Sequence, residues 1–149
     1  MRCVVQRVKK AAVLVGGLTV GEIGQGLLAL VGVGPEDNSQ DIDWLAEKLI
    51  GLRIFEDDEG KMNLSLTDVG GEILLVSQFT LFGDCRKGKR PSFSLAAPTE
   101  QARELFGQLA DTVRLYGVKA QTGQFQADMD VELVNQGPVT ILLDSKKSF

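Results

Sequence analysis

Residues 72–81, Glu72-Ile-Leu-Leu-Val-Ser-Gln-Phe-Thr-Leu81, read as a strand that is apolar on both faces and then ends abruptly in Ser77, Gln78 and Thr80. A strand covered on both sides is written as a near-continuous run of Ile, Leu and Val, so hydroxyls and an amide at its downstream end mark a candidate site. With a period of two, Ile73, Leu75, Ser77 and Phe79 share one face, and Leu74, Val76, Gln78 and Thr80 share the other. The plainer alternative is that Ser77 and Thr80 cap the last backbone groups of the strand, because short hydroxyl side chains bond locally.

Upstream of this run, residues 3–8, 11–15, 18–23 and 27–33 read as short strands, with Gly16-Gly17 as a hairpin turn. Gly21, Gly24 and Gly26 superficially suggest a phosphate loop, but no Gly-Lys-Ser/Thr ending follows them. Residues 41–52 carry Ile42, Leu45, Ala46 and Leu49 on one helical stripe. A second helix follows Pro98, with Ala102, Leu105, Phe106, Leu109, Ala110 and Val113 at helical spacing. Residues 129–135 and 139–144 read as two more strands joined by a turn at Gln136-Gly137-Pro138. The order predicts one α/β domain over residues 1–149, with mixed, largely antiparallel β-sheets and helices packed on one side.

Composition narrows the chemistry. Among the 149 residues 44% are hydrophobic and 24% charged, and no apolar run nears the roughly 20 residues that span a bilayer. The first ten residues are patterned like a strand rather than a leader, which predicts a cytoplasmic protein with no membrane segment. Histidine is absent and the two cysteines, Cys3 and Cys85, have no metal-ligand spacing. Catalysis therefore has to rest on hydroxyls, carboxylates, lysines, backbone dipoles or the substrate itself, and no metal or cofactor is expected. The net charge of -4 speaks against a general nucleic-acid binder. Yet Arg86, Lys87, Lys89 and Arg90 put four cations into five residues of a Gly- and Pro-punctuated loop, which suits the phosphates of RNA or a nucleotide, although a solvated basic turn is the plainer reading of these residues alone.

The segment Asn135-Gln-Gly-Pro-Val-Thr140 reads as a hairpin whose rigid turn offers carbonyls to an ammonium group. Because only about 5–6% of X-Pro bonds in folded proteins are cis, these residues alone predict a trans bond.

Taken together, Ser77-Gln-Phe-Thr-Leu81, Lys87-Gly-Lys-Arg-Pro-Ser-Phe93, Thr122-Gly-Gln-Phe-Gln-Ala-Asp-Met129 and Asn135-Gln-Gly-Pro-Val-Thr140 resemble, in order, the successive motifs of the D-aminoacyl-tRNA deacylase family. The resemblance covers essentially the whole chain, starting at Met1-Arg-Cys-Val-Val-Gln-Arg-Val. Gln136 stands where acidic or polar residues are usual, and Gln126 where small residues are common.

The resemblance implies a homodimer that hydrolyses the ester of D-aminoacyl-tRNA. It implies a cis Gly137-Pro138 bond whose turn enters the site of the partner subunit, presents carbonyls to the substrate ammonium and blocks an L side chain. Glycyl-tRNA, which has no side chain to reject, becomes a further substrate. Ser77, Gln78, Phe79 and Thr80 are implied around the scissile ester, Phe125 against the terminal adenine, Met129 in the pocket wall and Arg7 behind the Gly-Pro turn. For the chemistry, Thr80 as nucleophile stands beside a preorganised alternative. In that alternative backbone N–H groups near Phe79 and Thr80 hold the oxyanion while the ribose 2'-hydroxyl assists water or attacks the ester. A noncatalytic RNA-binding module and a structural dimer are the competing classes.

Overall fold

In the computed structural model, which describes residues 1–149, the chain runs through β1 (Arg2–Val15), β2 (Leu18–Ile23), β3 (Gly26–Gly32), α1 (Ser39–Gly51), β4 (Phe55–Glu56), β5 (Met62–Leu64), β6 (Glu72–Ser77), α2 (Thr99–Leu115), β7 (Ala120–Thr122) and β8 (Asp130–Asp144). A single 3-10 turn, Phe79–Phe82, follows β6. The main sheet is mixed: β1 pairs antiparallel with β2, β3 and β8, whereas β3, β6 and β7 run parallel. Strands β4 and β5 form a separate small hairpin.

The alternation along β3 and β6 explains why neither strand has a polar face. Leu27, Ala29, Val31, Ile73 and Leu75 pack with α1 and α2, whereas Leu28, Leu74 and Val76 pack with Val8, Ala11, Val13 and Ile23. The residues expected as two strands at 3–8 and 11–15 are one long strand. Its pairing with β8 slips near Val8 and Lys10, and Lys9 and Lys10 are exposed there. Beyond the slip the second half of β1 folds with β2 back over β6 and β7. The approach is so close that a Cβ on Gly21 would lie 2.7 Å from the Thr122 carbonyl oxygen. The helices thus cover one face of the sheet and the sheet's own extension covers the other.

Both helices form where the stripes place them. Asn38 caps α1 by accepting from the Gln40 N–H, and Asp41 returns a bond to the Asn38 N–H, so two otherwise unpaired donors are satisfied. The residues Ile42, Leu45, Ala46 and Leu49 of α1, and Ala102, Phe106, Leu109, Ala110 and Val113 of α2, are buried in the shared core.

Two further sequence expectations need correction. The run from Glu72 does not stay extended to Leu81. It leaves the sheet after Ser77 and winds into the 3-10 turn, so Phe79 and Thr80 belong to neither face of the strand. The cause is lack of a partner: the pairing of β3 with β6 ends at Val31 and Ser77, and beyond it only the Gln78 N–H reaches back, to the Val31 carbonyl.

The second correction concerns Asn135 to Thr140, which is no hairpin. It lies inside the continuous strand β8, where residues 136–139 lack a ladder partner between the Gln6–Thr140 and Val8–Asn135 pairs. The Gly137-Pro138 bond is cis, against the trans expected from the residues alone and in line with the resemblance. Asn135 closes the bulge by accepting from the Val139 N–H at 2.7 Å and donating to the Val139 carbonyl at 3.1 Å. Arg7, buried beneath it, donates to the Gln136 carbonyl at 2.9 Å through Nε and to the Ile54 carbonyl at 2.7 Å through Nη1.

Two stability outcomes follow. A Cβ on Gly26 would sit 1.8 Å from the Glu72 carbonyl oxygen, whereas one on Gly107 of α2 meets nothing within 4 Å. Gly26→Ala should therefore unfold the protein or severely destabilise it, while Gly107→Ala should stabilise it by about 0.5–1 kcal/mol in urea denaturation. Replacing Arg7 by Met should cost about 3 kcal/mol, because two carbonyls lose charge-assisted donors. A cost below about 1 kcal/mol would show that water replaces Arg7 freely.

Candidate active site

The three parallel strands β3, β6 and β7 end on one edge, and a cavity of about 680 Å³ opens there. Crevices at the carboxyl ends of parallel strands are the usual ligand sites of such sheets. Val33 continues from β3, Val76, Ser77, Gln78 and Phe79 from β6, and Phe125, Gln126, Ala127 and Met129 from the loop after β7, while α2 contributes Thr99 and Ala102. The lining carries no charged side chain.

Of the sequence-predicted residues, Ser77, Gln78, Phe79, Phe125 and Met129 line this cavity together. Thr80 does not. It is exposed on the 3-10 turn, and its hydroxyl is held by the Gln78 side-chain amide. The same turn does supply a polar device. As its first residues, Phe79 and Thr80 have no intrahelical acceptor for their N–H groups, and neither N–H bonds elsewhere in the chain. Two adjacent donors with no partner sit beside the cavity.

The walls are fixed by contacts that the sequence reading did not anticipate. Phe93 packs edge-on against Phe79 with ring centroids 5.1 Å apart and also lines the cavity. Phe125 is half-buried rather than core: Phe106 lies 6.3 Å away on the core side, and the Arg103 guanidinium lies 4.6 Å over its ring. Met129 packs against Gly123, where a Cβ would lie 2.8 Å from the sulfur. Phe93 falls within the quoted basic motif, but its ring contact depends on the 3-10 turn bringing Phe79 across, which no local pattern encodes.

The basic loop stands beside the cavity at Phe93 and is pinned at its base, where Asp84 and Ser92 exchange backbone bonds. Its four cations are not equivalent. The Arg86 side chain makes hydrogen bonds to both carboxylate oxygens of Asp84, at 2.9 and 2.7 Å. These bonds, aided by the Arg86 backbone N–H, lower the Asp84 pKa from 3.8 to about 2. A lowered carboxyl contributes above its ordinary value and loses the contribution only as pH falls through the lowered one, so the pair is intact at any pH near neutrality. Lys87, Lys89 and Arg90 are exposed and make no ion pair. They are the cations left for an external anion.

Gly137 and Pro138 do not reach the cavity of their own chain. Arg7 pairs with Leu27, and Leu27 with Ile73, so the bulge is level with the start of β6, four residues upstream of Ser77. That is about 13 Å along the strands, before the sideways step across β1 and β3. The turn lines a separate recess of about 250 Å³ with Arg7, Gln25, Phe55, Glu56, Val69 and Gln136.

The chain is 62% identical over 146 residues to the D-aminoacyl-tRNA deacylase of Desulfatibacillum aliphaticivorans, covering 98% of this chain and all of that one. It is 62% identical over 149 residues to the D-aminoacyl-tRNA deacylase of Desulfitobacterium hafniense, covering both chains completely. Among solved structures it is similar to the c-Myc DNA Unwinding Element Binding Protein, with a TM-score of 0.91 and 41% identity over 97% of this chain and 98% of that one. Residues 4–144 match the family described as D-Tyr-tRNA(Tyr) deacylase, and the chain belongs to that family.

Proposed function

We propose that this chain hydrolyses the ester of D-aminoacyl-tRNA in a site completed by a second copy of itself, which rejects L-aminoacyl groups by shape. Family membership supports the reaction class. The observation that carries the chemistry is the pair of unpartnered N–H groups on Phe79 and Thr80 beside an uncharged cavity. A hydrolysed ester places negative charge on its carbonyl oxygen in the transition state, and two fixed donors in a site poor in other charges meet that charge where it forms. Loss of one such donor elsewhere costs about 10²–10³ in rate.

The absence of histidine leaves no imidazole base. The 2'-hydroxyl of the terminal ribose, held next to the ester, orients water. The water oxygen bonds to the carbonyl carbon, the bond to the ribose 3'-oxygen breaks, and that oxygen takes the proton. Ser77 and Gln78 position the ester, Phe125 receives the terminal adenine and Met129 closes the wall. Lys87, Lys89 and Arg90 engage tRNA phosphates, while Arg86 shapes the loop through Asp84.

The chirality filter is assigned to Gly137 and Pro138 of the partner subunit in a homodimer. Support comes from the distance between this turn and the cavity of its own chain, and from β8, an edge strand that pairs only with β1 and exposes Leu133, Val134 and Leu142. The turn itself is crowded. Gly137 has φ +138°, and a Cβ there would lie 2.8 Å from Val139 Cγ2 and 3.0 Å from Arg7 Nη2. A backbone wall of this kind excludes a side chain without reading it, so D-aminoacyl groups of different size pass, and glycyl groups pass with them.

Incubation with D-, L- and glycyl-tRNA tests the reading. Release of the D-amino acid and of glycine, with the L-ester spared, is expected. Binding without release would identify an RNA-binding module, and equal cleavage of D and L esters would remove the filter. In the same assay Thr80→Ala should keep kcat within about tenfold of the parent, against the loss of about 10⁶ typical of a removed covalent nucleophile. An acyl group trapped on Thr80 would contradict the mechanism.

A further inference from the structure

Arg103 lies on α2 directly after Ala102, a residue of the cavity wall, and its side chain reaches two further wall residues, Phe125 and Gln126. Its guanidinium covers the Phe125 ring at 4.6 Å. Its Nη2 donates to the side-chain oxygen of Gln126 at 2.8 Å. Its remaining charge partner, Glu100, stands 3.7 Å from Nε on the exposed helix surface, longer than a good hydrogen bond and weak in water. Gln126 is one of two non-glycine residues with positive φ, at 63°. The bond to Arg103 therefore anchors a loop residue held in the left-handed region.

Arg103 fits a ligand better than it fits a purely surface role. The stack on Phe125 and the bond to Gln126 hold the guanidinium in one place against two residues of the cavity wall. The cavity lining has no charge of its own, and the free cations of the basic loop stand on the Phe93 side of its mouth. An end of RNA entering the cavity carries a phosphate on its last nucleotide, and its base seeks a flat surface. A guanidinium plane lying on an aromatic ring offers both: a face on which a base stacks and outward N–H donors for the phosphate. Arginine provides five donors in a planar fork, of which the chain itself takes only one in a hydrogen bond of good length.

We infer that Arg103 is a binding residue for the terminal nucleotide: with Phe125 it forms the stacking platform for the last base, and it pairs with the phosphate of that nucleotide. The inference rests on the proposed function for the identity of the RNA end. It makes Arg103 a binding and positioning group, not a participant in ester cleavage. Its loss should appear in KM and in salt dependence while kcat holds.

Two variants separate charge from packing. Arg103→Met keeps an unbranched apolar cover on Phe125 and removes the charge. Arg103→Lys keeps the charge and removes the planar stack. For D-aminoacyl-tRNA, Arg103→Met should raise KM about tenfold with kcat within twofold, and flatten the slope of log(kcat/KM) against log salt by about 0.7, the share of one phosphate on a single strand. Arg103→Lys should raise KM severalfold and leave the slope unchanged. Binding of the trinucleotide CpCpA, the common end of tRNA, should weaken in parallel.

Unchanged KM and slope in Arg103→Met, or a fall in kcat at constant KM, would overturn the assignment. Parent protein that binds CpCpA in an Arg103-dependent way yet hydrolyses no aminoacyl-tRNA would sink the proposed function and leave the platform standing. Parent protein that does neither would remove both.

Discussion

Strand β6 has helices on one face and the folded-back half of its own sheet on the other, and the rest of the molecule is arranged around that double burial. Ile73, Leu74, Leu75 and Val76 are almost wholly removed from water, an arrangement worth about 1.5–3 kcal/mol for each large side chain. The two cores that achieve this require β1 to bend near Lys9 and Lys10, and they require glycine where backbones meet, as at Gly21 and Gly26. A strand so enclosed presents polar groups only where it leaves the sheet. Its exit at Ser77 turns at once into a 3-10 turn, and the amides of Phe79 and Thr80 are left free at the mouth of a cavity.

The same geometry divides the functional parts between the two ends of the sheet. The cavity opens where β3, β6 and β7 finish, whereas the Gly137-Pro138 bulge sits level with the start of β6 and is braced from below by Arg7 and from the side by Asn135. A reaction that needs both has to assemble them from two chains, and the free edge of β8, with its exposed Leu133, Val134 and Leu142, is a surface through which a second copy could dock.

What the sequence disclosed followed from periodicity and local chemistry. The doubly apolar run, the two helical stripes and the Gly16-Gly17 turn, whose φ values are +57° and +80°, all carry their signal within a few residues. The stop after Ser77 was not legible, because it is set by where β3 ceases to pair rather than by Phe79 or Thr80 themselves. The bulge in β8 was misread as a hairpin for a related reason. Gly-Pro between apolar runs signals a turn, but the ladder with β1 resumes on the same strand once Asn135 and Arg7 satisfy the interrupted backbone. Among the site residues, Ser77 and Gln78 stood out as polar groups in an apolar strand. Arg103 did not, since an arginine on the exposed side of a helix has the same local pattern whether or not it covers a phenylalanine from a distant loop.

The central claim, that one chain's turn completes the other chain's cavity, is tested most directly by mixing two damaged chains. Ala127→Trp fills the cavity and leaves the turn intact, whereas Gly137→Ala spoils the turn and leaves the cavity intact. Each variant alone should be nearly inactive on D-aminoacyl-tRNA. Unfolded and refolded together in equal amounts, they form mixed dimers in half of the population. Each mixed dimer has one sound cavity facing one sound turn, so activity should return to about one quarter of the parent value. A mixture as inactive as its components, with mixed dimers demonstrated by mass, would place the turn and the cavity of each site on the same chain and contradict the account.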